Sequence, residues 1–175
     1  TLKILKTKGF ADIVDCIFYR HKPVVLENFA IPDGGYVDIY GNTIKGPLGA
    51  KLNKVVLFGC CNTVEIGTNV VGLNNISISL TSKMELKIGN GCNFRSFVRF
   101  EVFGYIGGAI IDIGQNCLFT DALFRLYVDP NISSVVIGSD TTFETHFEAH
   151  ANRGKKIIIG NDCMFSHNVY LLSGD

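Results

Sequence analysis

The chain has 175 residues, with 16 basic and 16 acidic side chains that cancel to a formal net charge of zero. That length suits one domain with its own core, and the charge balance leaves no basic field for nucleic acid or an anionic membrane surface. No uncharged apolar run reaches the roughly 18 residues of a membrane-spanning helix, so none is expected. The lysines of Thr1 to Phe10 are not followed by an apolar core and cleavage site, so no secretory signal is expected and the cytoplasm is the default compartment.

In chain order, residues 1–36 stand apart as an N-terminal cap segment, and residues 37–175 carry a repeat. Within the cap segment, FADIVDCIFY (Phe10 to Tyr19) reads as a short helix or a strand, and KPVVLENFAI, ending before Pro32, reads as a strand. Asp33, Gly34 and Gly35 then mark a turn. An atypical terminal unit is what a solenoid needs to cover its first core layer. From Tyr36 short β-type runs take over, namely VDIYG, KVVLFG and VEIG.

The repeat is clearest at Ile66-Gly67, Ile88-Gly89, Ile113-Gly114, Ile137-Gly138 and Ile159-Gly160, whose glycines are 22, 25, 24 and 22 residues apart. Within the last stretch, Ile159, Phe165 and Leu171 recur every six residues. Six matches neither the 3.6 of an amphipathic helix nor the 2 of a half-buried strand. It matches the hexapeptide period of a parallel β-helix, here expected to be left-handed, in which three short strands make one triangular coil. An ideal coil of three hexapeptides needs about 18 residues, so each coil here carries an excursion. The candidates, rich in turn formers, are Phe103 to Ala109, Asp129 to Ser134 and Asn152 to Lys156. Five residues after four of the repeat glycines stand Phe94, Phe119, Phe143 and Phe165, with Gly72 in the first coil, which predicts a ladder of stacked rings. Arg125 falls on an inward slot, where an unpaired charge is too costly; a one-residue bulge that gives the slot to Leu126 is expected.

The cysteines and histidines sort by this register. Cys92, Cys117 and Cys163 each stand three residues after a repeat glycine, in the column of Val70 and Thr141, where small size accounts for them. Cys60 and Cys61 are adjacent and Cys16 is isolated; without a C-x-x-C pair, neither zinc nor a disulfide framework is expected. His21 lies in the cap segment and reads as a surface residue. His146, His150 and His167 all fall in the last two coils, and none takes an inward slot, since Phe143, Ala149, Phe165 and Leu171 do. Three outward histidines are either solvated surface, acceptor-recognising groups in a cleft, or metal ligands shared across a subunit boundary as in β-helical carbonic anhydrases. The close His146 and His150 pair precedes His167 by a full coil, and that metalloenzyme family's order and flanking residues are missing, so no metal is expected.

The segment FETHFEAHANRGKKIIIGNDCMFSHNVYLLSGD resembles the hexapeptide-repeat O-acetyltransferases, the group of maltose and galactoside acetyltransferases and of capsule and lipopolysaccharide sugar acetylases. The resemblance spans roughly Ile66 to Asp175. It implies an acetyl-CoA-dependent enzyme that acetylates a sugar hydroxyl during capsule, exopolysaccharide or lipopolysaccharide synthesis, as a homotrimer with acetyl-CoA in clefts between subunits. Matched to the family's Phe-x-Ala-Asn-Phe-Asn stretch, His146 falls on the Asn that holds the acceptor hydroxyl and Glu148 on the second Asn; neither keeps the residue type. The resemblance also places Asp175 as the lead-in to the catalytic histidine, which is expected just after it, with further coils and a cap beyond. His146, His167, Glu148 and His150 are then expected near the acceptor. Outward Val136 and Ile158 are expected to face a neighbouring subunit. The alternative function is a non-catalytic β-helix serving as a scaffold or assembly subunit.

Overall fold

The computed structural model describes residues 23–81, 83–104, 108–128 and 131–174. Its strands are β1 (Val24–Ala30), β2 (Tyr36–Val37), β3 (Thr43–Lys45), β4 (Lys51–Leu57), β5 (Thr63–Ile66), β6 (Ile76–Leu80), β7 (Met84–Ile88), β8 (Asn93–Phe94), β9 (Val98–Phe103), β10 (Ala109–Ile113), β11 (Leu118–Phe119), β12 (Ala122–Tyr127), β13 (Ser133–Ile137), β14 (Thr142–Phe143), β15 (Phe147–Asn152), β16 (Lys156–Ile159), β17 (Met164–Phe165) and β18 (Val169–Ser173). They wind into a parallel β-solenoid of about five turns, with three sheets as its sides. Sheet A runs β1-β4-β6-β9-β12-β15-β18, sheet B runs β16-β13-β10-β7-β5-β3-β2, and sheet C runs β17-β14-β11-β8. The first strand is antiparallel to β4 and the second is antiparallel to β3, so the parallel winding begins at β3. The turn after β1 holds Gly34 and Gly35 at positive φ, and the Gly35 N–H donates to the Pro32 carbonyl at 3.1 Å. The stretch from Phe10 to Tyr19 lies outside the described residues.

The Ile-Gly repeat is the structural register. Ile66, Ile88, Ile113, Ile137 and Ile159 pair in sequence across sheet B, each pointing into the core. The glycine that follows is required by close approach. A Cβ on Gly89 would run into the Gly114 carbonyl, and one on Gly67 would come 2.7 Å from the Gly89 carbonyl carbon. Apolar periodicity does not reveal the next column, Asn69, Gly91, Asn116, Asp140 and Asp162, all with φ between 54° and 70°. Each turns the first corner in the left-handed region, which Gly, Asn and Asp enter at least cost.

The predicted ring ladder is present. Phe94, Phe119, Phe143 and Phe165 pair in register along sheet C and stack at centroid distances of 5.1, 4.7 and 5.1 Å with nearly parallel planes. A second inward column, Phe100 and Phe124, stacks at 5.1 Å and meets the ladder edge-on through Phe119 and Phe124.

Arg125 does point outward, but by a different route from the expected bulge. In the neighbouring coils three residues lie between the ladder Phe and the first inward residue of sheet A, as between Phe94 and Val98 and between Phe143 and Phe147; between Phe119 and Ala122 there are two. The corner at Thr120 and Asp121 is one residue short, and β12 then pairs without interruption. Phe124 therefore takes the slot beside Phe100 and Ala149, and Leu126 fills the next inward position.

The excursions all fall where sheet A passes to sheet B, between β9 and β10, β12 and β13, and β15 and β16. Ser133 and Ser134 belong to β13 rather than to a loop, and residues 105–107 and 129–130 lie outside the described residues. No helix among the described residues is long and apolar enough to cross a membrane.

Candidate functional site

Alternation along β9, β12, β15 and β18 sends every second side chain out of sheet A, and parallel register stacks these side chains into columns. One outward column reads Arg99, Leu123, Glu148 and Tyr170; the next reads Glu101, Arg125, His150 and Leu172; the third reads Phe103, Tyr127 and Asn152. The middle column holds the densest chemistry. Arg125 donates from Nε and Nη2 to Glu101 Oε2 at 3.1 and 2.8 Å, and that bond, ahead of the opposing desolvation, raises the guanidinium further above its ordinary range. His150 Nε2 lies 3.0 Å from Glu148 Oε2. With Nε2 donating to that carboxylate, Nδ1 keeps its lone pair as an acceptor. These groups are less solvated than a solenoid's outer face implies: the His150 side chain is 18% exposed and Glu101 20%, against 44% for Lys87 on sheet B.

His146 and His167 sit elsewhere, at the corner between sheets C and A. His146 turns that corner at φ 57° and its Nδ1 lies 3.4 Å from Asp121 Oδ2; His167 Nδ1 lies 2.9 Å from Glu144 Oε2. Both pairs are well exposed, so neither adds much stability. From His146 to His150 the chain advances four strand residues, roughly 13 Å. The predicted set thus divides: Glu148 and His150 come together on sheet A, His146 and His167 share the corner, and Asp175 lies outside the described residues. Gly174, at the end of β18, approaches Asn152, at the opposite end of sheet A from the corner histidines. Among the described residues no group of three or more His, Cys, Asp or Glu is arranged to hold one metal ion.

The corner cysteines are structural. Cys92 Sγ donates to the Gly114 carbonyl at 3.2 Å, Cys117 Sγ to that of Gly138 at 3.2 Å, and Thr141 Oγ1 to that of Gly160 at 3.2 Å, so each side chain bonds the next coil's repeat glycine. The neighbouring Cys117 thiol, followed by burial, pushes the Cys92 thiol up. Small size alone did not foretell this donor role, which Thr shares with Cys. The expectation that sets disulfides aside is corrected at one position: Cys60 is disulfide-bonded.

Two features have no counterpart in the sequence reading. The Arg125 and Glu101 pair follows from the short corner, whose only sequence signal is a charge on an inward slot. A groove of about 430 Å³ runs along the glycine column, lined by Gly67, Gly89 and Gly114 with Lys87, Asp112 and Asn90 at its sides.

Comparison with known proteins gives no further bearing: no protein family, curated protein or solved structure matches the chain.

Proposed function

We propose that the protein is an acetyl-CoA-dependent O-acetyltransferase acting on a sugar hydroxyl in polysaccharide biosynthesis. The observation that carries this reading is the parallel solenoid itself, whose Ile-Gly repeat falls in register along sheet B and is consistent with the resemblance to the hexapeptide-repeat acetyltransferases. The groove along that column suits a long, thin ligand such as the arm of the acyl donor. The histidine and carboxylate groups of the last two coils supply acceptor contacts, with Glu148 and His150 the best held.

In this reaction the acceptor oxygen attacks the thioester carbonyl as its proton passes to an imidazole, and the tetrahedral intermediate then collapses to the acetyl ester, the imidazolium returning that proton to the leaving CoA sulfur. A sugar hydroxyl ionises far above neutrality, so a positioned base contributes about 10²- to 10⁴-fold. The resemblance puts that base beside Asp175. Backbone N–H groups are the natural donors to the developing oxyanion. Direct transfer is the expected route, and the buried corner thiols of Cys92 and Cys117, each donating to a carbonyl, argue against those two as nucleophiles. A homotrimer belongs to the same proposal, and Ile158, 72% exposed on sheet B, supports a covering neighbour better than half-buried Val136 does.

Donor binding is tested first. Millimolar CoA is expected to raise the Tm of the protein by several degrees, whereas ADP at the same concentration leaves it unchanged. Equal melting curves with and without CoA would contradict the enzyme reading.

A further inference from the structure

Ring ladders in a solenoid normally belong to its core, and here Phe94, Phe119 and Phe143 are at most 1% exposed. Phe103 and Tyr127 break that pattern. They stack at 5.3 Å on the outer face of sheet A and remain 41% and 43% exposed. The Arg125 guanidinium lies 5.9 Å from the Phe103 ring centre, bracing the pair from the middle column. Tyr127 pairs with Asn152, so His150 is its diagonal neighbour on the adjacent strand.

We propose that this face is a saccharide subsite, with the Phe103 and Tyr127 rings as a platform for the apolar face of a sugar and Glu148 and His150 as partners for its hydroxyls. This rests on the acetyltransferase reading only in making that sugar the acceptor. The charge pattern selects a neutral saccharide. Arg125 is committed to Glu101 through two nitrogens; Arg99 leans towards the same carboxylate at 3.9 Å and lies 5.7 Å over the Phe97 ring. Among the described residues of the three outward columns, no cation is left without a carboxylate partner to balance a uronate or a phosphate. Glu148 and His150 engage each other through one oxygen and one nitrogen, leaving Glu148 Oε1 as an acceptor and His150 Nδ1 as a second polar contact; hydroxyl groups, which both donate and accept, match that pair.

Saturation-transfer NMR tests the subsite with a panel of glucose-, galactose- and mannose-based neutral oligosaccharides and an oligogalacturonate of matching length. The wild-type protein is expected to transfer saturation to at least one neutral member and not to the oligogalacturonate. Tyr127→Ala and Glu148→Gln are expected to weaken that binding tenfold or more; Tyr127→Phe, which keeps the ring, and Lys45→Ala, on sheet B, are expected to retain it. Circular dichroism of each variant separates lost binding from lost fold. Absence of binding to every neutral member, preference for the oligogalacturonate, or binding that survives Tyr127→Ala would overturn the proposal. Saccharide binding that depends on Tyr127, without stabilisation by CoA, would keep the subsite and remove the enzyme reading. Stabilisation by CoA with Tyr127-independent saccharide binding would do the reverse.

Discussion

At the scale of single residues, the two kinds of glycine in this chain differ by what lies beyond the Cα. Gly89 has another coil stacked against it, and a methyl group there would meet the Gly114 carbonyl and come 2.8 Å from the Gln115 nitrogen. Gly160 has the same place in the repeat, but nothing lies within 4 Å of the added Cβ. Gly89→Ala is therefore expected to cost about 1–3 kcal/mol through overpacking. For the 175-residue chain, Gly160→Ala is expected to be neutral or to gain about 0.4–1 kcal/mol by restricting the unfolded chain. Urea midpoints of the two variants measure the difference, and equal shifts would contradict the close-approach account. The identity of these glycines was legible from the repeat, and so was the ring ladder, because both recur at a fixed interval. The donor role of Cys92, Cys117 and Thr141 was not, since a hydrogen bond to a carbonyl in the next coil leaves no mark on apolar periodicity.

At the scale of elements, β12 shows where counting fails. A fixed step of 12 from Ile113 lands on Arg125, and the physical objection to a buried charge was sound, yet the remedy lay upstream. Shortening the corner at Thr120 and Asp121 moves the whole strand by one residue, which exchanges its two faces together. A bulge would have shifted only the residues after it. The difference is measurable at Phe124, which the short corner makes a core residue stacked on Phe100. Phe124→Ala is expected to destabilise by about 3–5 kcal/mol, and Arg125→Ala, which opens a partly exposed ion pair, by about 1 kcal/mol. Thermal or urea denaturation that ranks Arg125→Ala as the costlier change would contradict this register. The same exchange of faces sets Arg125 beside Glu101 and Tyr127 beside Phe103, so the candidate site on sheet A depends on a corner length that the sequence does not announce.

For the whole molecule, the parallel solenoid was legible because one stacking distance imposes one repeat on every coil. The site was legible only in part. Glu148 and His150 are neighbours on one strand face because alternation requires it, whereas His146 and His167 stand at the corner between sheets C and A, three and two residues past the ladder rings Phe143 and Phe165, where strand alternation aligns nothing. The reaction proposed for this architecture makes one product that no scaffold makes. Incubation of the protein with acetyl-labelled acetyl-CoA and a neutral oligosaccharide is expected to give a base-labile acetyl ester on the sugar, with one free CoA thiol released per ester formed. A folded protein that binds the saccharide but forms no ester and releases no thiol above the uncatalysed background would contradict the account.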